Sequence, residues 1–71
     1  MKIMFYEKNG RYGTICLSKR DNRYRADVGF EMSKCDKLEQ AKNFMKKHGY
    51  AHNPKIVSMS SAMPLVVRYR D

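Results

Sequence analysis

Apolar and polar residues alternate with a period of two in three stretches of the N-terminal half, the spacing of a half-buried β-strand. From Arg23 to Phe30, one face carries Tyr24, Ala26, Val28 and Phe30, and the other Arg23, Arg25, Asp27 and Gly29. From Tyr12 to Ser18, Ile15 and Leu17 oppose Tyr12, Thr14, Cys16 and Ser18, and from Lys2 to Glu7, Ile3 and Phe5 oppose Met4 and Tyr6. Asn9-Gly10 lies between the first two stretches and supplies the positive φ angles of a tight hairpin turn. Lys19-Arg20-Asp21-Asn22 is a longer polar loop. Together these predict a three-stranded antiparallel meander over about residues 2–31.

The period then changes to 3.6. Leu38, Ala41, Phe44, Met45 and His48 share one helical face, and Lys and polar residues cover the rest. Asp36 and Glu39 have capping-box spacing, Lys46 and Lys47 suit the negative end of the helix dipole, and Gly49 follows as the stop. A helix is predicted over about 36–48. Tyr50 to Pro54 reads as a connection. Lys55 to Met59 and Leu65 to Arg70 read as a C-terminal strand pair over about 55–70, joined by Ser60-Ser61-Ala62-Met63-Pro64. The fold class is α+β: a single-domain antiparallel β-sheet with one α-helix on one face, in the order β-β-β-α-β-β. A 71-residue chain has room for one domain with a small core.

The helix needs an apolar partner, and Ile3, Phe5, Ile15, Leu17, Tyr24, Ala26, Val28 and Phe30 offer one. The uncovered face is then expected to show Lys2, Met4, Tyr6, Tyr12, Thr14, Cys16, Arg23 and Arg25, joined by Arg68 and Arg70 if the last strand pairs alongside.

Charge gives that face a meaning. Fifteen Lys and Arg against seven Asp and Glu leave a net +8, a self-repulsion that favours an anionic partner. Arg and Lys neutralise phosphates, and Tyr can stack on exposed bases. The residues expected to bind nucleic acid, or an acidic or nucleoprotein partner, are Tyr6, Tyr12, Lys19, Arg20, Arg23, Arg25, Arg68 and Arg70. A polar outer face also serves solubility and blocks edge pairing, so charge alone does not define a site. The helix lysines are explained by solvation and the dipole.

Other chemistry is thinly represented. The seven acids are scattered, and no phosphate-cradling glycine motif occurs, so the expectation is a non-enzymatic protein with no cofactor and no small-molecule substrate. Cys35, His48 and His52 have the spacing of half a zinc finger without the other half; the reading is no metal site. Cys16 and Cys35 are too few for a disulfide framework and read as free thiols in a reducing cytoplasm. No stretch resembles a secretory leader or a membrane span, apolar runs such as Leu65-Val66-Val67 being only a few residues long. Met4, Met59 and Met63, with Tyr6 and Val66, are expected to form an exposed apolar patch suited to homodimerisation.

In element order, residues from about 2 to 48 resemble the small DNA-binding domains of phage-type integrases and of a plant transcription-factor family. That resemblance implies a sheet face presented to DNA. The small basic sheet-and-helix layout is also similar to phage-encoded inhibitors of host RNA polymerase or CRISPR complexes. The second resemblance implies Tyr12, Arg23, Arg25 and Arg68 facing a host nucleic-acid-handling protein.

Overall fold

The computed structural model describes residues 3–60 and 64–70. Its elements, in order, are β1 (Ile3–Lys8), β2 (Arg11–Ser18), β3 (Arg23–Asp27), β4 (Met32–Cys35), α1 (Leu38–Lys47), β5 (Ala51–His52), β6 (Ile56–Ser60) and β7 (Val66–Tyr69). The first five strands make one antiparallel sheet in the order β4-β3-β2-β1-β5, and β6 and β7 form a separate two-stranded sheet. The α+β class with one helix on an antiparallel sheet therefore holds. Two strands more than the sequence pattern announced are present.

The Asn9-Gly10 turn forms as its residue types require: Asn9 has φ 47° and Gly10 φ 82°, and Lys8 lies opposite Arg11. Its two-residue length locks the register, placing Tyr6 against Gly13 and Met4 against Ile15. Directly opposed residues share a face. Ile15 is buried on the helix side, so Tyr6 and the half-buried Met4 lie on that side too, and Ile3 and Phe5 lie on the open face. The expected phase of β1 is thus reversed. Tyr6, assigned above to the binding face, is a core residue at 5% exposure.

The long third strand divides. Asp27 Oδ1 accepts from the Gly29 N–H at 2.7 Å, and the Val28 N–H donates to the Glu31 carbonyl at 3.0 Å. With Gly29 at φ 94°, the chain reverses into β4. Val28 stays in the core, but Phe30 swings out to 67% exposure, against its expected place under the helix.

Helix α1 starts later than Asp36. Gln40 Oε1 accepts from the backbone N–H of both Asp36 and Lys37 at 3.1 Å, so the reciprocal Asp36–Glu39 box does not form. Lys37, the N-cap, has no side-chain acceptor with which to return the bond. The other end is as expected: the Gly49 N–H bonds to Lys46 O and the Tyr50 N–H to Met45 O, with Gly49 at φ 82°. This paired termination brings Tyr50 into the core beside Met45.

The core joins Tyr6, Ile15, Ala26, Val28 and Cys35 of the sheet region to Ala41, Met45 and Tyr50, flanked by Met4, Tyr24, Leu38 and Phe44. Ile15 and Met45 are essentially inaccessible, and each such side chain contributes about 1.5–3 kcal/mol. Gly13 lies within β2. A Cβ there would stand 2.9 Å from the Asp27 carbonyl oxygen and 3.3 Å from Met45 Cε. Close approach of β3 and the helix is what requires glycine at this position.

The exposed methionine patch does not assemble as expected, because Met4 packs against the core. Met59 is half-buried and Val66 is exposed; Met63, like Lys2 of the expected open face, lies outside the described residues.

Candidate nucleic-acid interface

Strand pairing lays out the open face in rows. Ser18 opposes Arg23; one step along, Ile3, Cys16, Arg25 and Lys34 run across four strands; next come Phe5, Thr14, Asp27 and Met32; Glu7 opposes Tyr12 at the far end. The face is therefore graded. Its β1 side is apolar, and its β3–β4 corner, next to the 19–22 loop, is basic.

That corner is an open concavity of about 420 Å³ lined by Cys16, Ser18, Lys19, Arg20, Asp21, Arg23, Arg25 and Lys34. Four of the eight residues expected at the interface meet here: Lys19, Arg20, Arg23 and Arg25. Lys34 is the residue that sequence reading missed. Its signal was the Asp27-Val28-Gly29 turn, which folds Lys34 back beside Arg25. Five cations and one acid, Asp21, thus line the concavity.

The acids nearby hold the corner in shape. Arg23 Nε lies 3.0 Å from Asp36 Oδ1, a charge contact whose N–H direction misses the oxygen, and its Nη2 donates to the Lys34 carbonyl at 3.4 Å. Asp21 Oδ2 sits 3.7 Å from Lys34 Nζ, and its Oδ1 accepts from the Arg23 backbone N–H at 3.3 Å. Desolvation pushes the Asp21 carboxyl up, but hydrogen bonds from Ser18 and the Arg23 backbone, with the Lys34 charge, outweigh it and hold the pKa below the usual value of 3.8. Both pairs are exposed, so solvent screening leaves each of them little net stabilisation. The side chains of Lys19, Arg20 and Arg25 have no hydrogen bond or ion pair among the described residues.

The remaining expected residues lie elsewhere. Tyr12 is at the opposite end of the face, where its hydroxyl and that of Tyr69 are 3.0 Å apart. That hydrogen bond, followed by desolvation and the nearby Glu7 charge, pushes the Tyr69 phenol up to about 12. Glu7 is itself fixed by the Asn53 Nδ2 donor at 2.9 Å. The cluster links β7 to the main sheet at the end of the face opposite the basic corner. Arg68 sits on β7 opposite Ser58, and Arg70 lines a groove beside β1 with Ile3 and Phe5. The expected union of Arg68 and Arg70 with Arg23 and Arg25 does not occur, because β7 pairs only with β6.

Other reactive groups are occupied structurally. His48 Nε2 is 2.9 Å from Glu31 Oε2, and the imidazole packs on Phe44 and Phe30, joining the helix end to the β3–β4 turn. Cys16 and Cys35 are free thiols. Among the described residues no group of three His, Cys, Asp or Glu side chains is placed to hold a metal, and no helix is long and apolar enough to cross a membrane. No family model, curated protein or solved structure matches the chain.

Proposed function

We propose that this protein is a non-enzymatic module that binds nucleic acid through phosphate contacts at the basic corner of its open sheet face. The observation that supports this is the convergence of Lys19, Arg20, Arg23, Arg25 and Lys34 around one concavity, with Asp21 in its lining and Asp36 paired to Arg23 beside it. Among the described residues the Arg25, Lys19 and Arg20 side chains have no partner, and Arg23 and Lys34 are paired with Asp36 and Asp21. Such an arrangement offers two kinds of cation: paired ones, and ones whose charge is free for a ligand.

The test is fluorescence anisotropy with a labelled 20-nucleotide probe over a salt series. Each phosphate neutralised contributes about −0.7 to −0.9 to the slope of log affinity against log salt, so about four contacts lower duplex affinity roughly a hundredfold between 50 and 200 mM. Lys19→Ala with Arg25→Ala should reduce the slope by nearly two contacts while circular dichroism stays native. An unchanged slope and affinity in that variant would refute the assignment.

A second reading has its own support. Val57, Leu65 and Val66 on or beside the β6–β7 sheet are 47%, 48% and 51% exposed, which suits an inhibitor docked on a host nucleic-acid-handling protein complex. Pull-down from lysate with and without nuclease separates the two: partners that vanish with nuclease favour direct nucleic-acid binding, and a stoichiometric protein that survives favours docking.

A further inference from the structure

Resting on the phosphate reading above, we propose that the ligand is the sugar–phosphate backbone of a duplex, gripped without base stacking. The sequence expectation paired cations with stacking tyrosines. The fold separates them. The chain has five Tyr, three Phe and no Trp, and none of these rings lines the basic concavity. Tyr6 and Tyr50 are buried, and Tyr24 and Phe44 pack against the core. Tyr12 and Tyr69 bond to each other four residues along β2 from Cys16, about 13 Å away by strand rise. Phe5 is separated from Arg25 by the width of β2. Phe30 is exposed, but it packs edge-on against His48 beyond the β3–β4 turn.

Modules that hold single strands rely on aromatic platforms beneath successive bases, each worth about 1–3 kcal/mol. Lacking a platform, this corner draws on charge alone. Charge alone favours the duplex, which carries one phosphate per about 1.7 Å of axis against about 3.4 Å for each strand, and which releases more counterion per contact. The cation layout agrees. Arg25 and Lys34 face each other across β3 and β4, Arg23 is two residues along, and Lys19 and Arg20 rise on the adjoining loop. This is a two-dimensional cluster, shaped for phosphates arriving from both sides of a groove and not for a single file.

The experiment titrates the intact protein with a 20-base-pair DNA duplex, the matching RNA duplex and each constituent single strand, at several salt concentrations. At least one duplex should bind about tenfold or more tighter than its own strands, with little dependence on base sequence; the ratio of the two duplexes identifies DNA or RNA as the source. Intrinsic tyrosine emission should stay constant through the titration, since no ring meets a base. Phe30→Ala should bind as well as the parent. Single strands that bind as tightly as duplexes, tyrosine quenching on saturation, or lost affinity in Phe30→Ala would each overturn the proposal while leaving phosphate binding intact. Absence of salt-dependent binding to every probe would instead remove the phosphate reading, and this inference with it.

Discussion

Individual residues here act through fit and through single charges. Gly13 has no room for a side chain, since the obstructing atom is the Asp27 backbone carbonyl, which cannot rotate away. Gly13→Ala should cost about 1–3 kcal/mol in urea-induced unfolding, the range for overpacking a tight site. Met45→Ala at the same junction should cost about 2–5 kcal/mol, because the cavity left beneath the helix cannot fully collapse. Asp21 acts through charge. Replacing the acid in the lining of the basic corner, as in Asp21→Asn, should tighten nucleic-acid binding roughly twofold to fivefold, the small effect expected of one exposed charge. Acid should act similarly. The Asp21 carboxyl is held below 3.8, so its contribution to loop stability is complete above about pH 4 and is lost as pH falls through the folded value. A pH titration of the 19–22 loop amides by NMR reports that transition directly.

At the level of elements, what was legible depended on whether the pattern carried a sign as well as a period. The helix had its face and its Gly49 stop in the sequence, and both formed. β1 had a period but no sign: Ile3 and Phe5 look as apolar as Met4 and Tyr6. The deciding information was nevertheless present, because a two-residue Asn9-Gly10 turn forces Met4 opposite Ile15, and Ile15 faces the helix. The β3–β4 turn was hidden for the opposite reason. Alternation from Tyr24 through Phe30 continues smoothly across it, and only Asp27 followed two residues later by Gly29 marks the reversal. Lys34 was lost to the site with it. The docking of β6 and β7 was not legible, since it involves contacts distant in sequence: the buried Ile56, the Asn53–Glu7 bond and a Tyr12–Tyr69 pairing between residues 57 positions apart. Tyr69→Phe should therefore speed hydrogen exchange at the amides of β6 and β7 while β2 and β3 stay protected. Alkali should do the same. The Tyr69 phenol is raised from 10.0 to about 12, so the neutral, bonded form stabilises the docked arrangement up to about pH 10 and that contribution is lost as pH climbs toward 12.

For the whole molecule, the net +8 is concentrated by the way the acids are deployed. Asp21 and Asp36 face cations at the basic corner, Glu31 serves His48, Glu7 serves Asn53, and Asp27 closes a turn. Lys46 and Lys47 at the helix end and the cations of the open face are left to repel one another. Screening should relieve this. The melting temperature is expected to rise between about 20 mM and 0.5 M sodium chloride, as the Debye length shortens to a few ångströms, by roughly 4–8 °C for each kcal/mol relieved. A fall in melting temperature with salt would mean that the ion pairs outweigh the repulsion.

The lining of the basic corner, apart from Cys16, falls between Ser18 and Lys34, one uninterrupted length of chain with two reversals. Its charges are thus placed by neighbours in sequence, and not by parts assembled from afar. The whole arrangement is portable: spliced onto another antiparallel scaffold with matching strand order, the segment would bring its cations along already spaced.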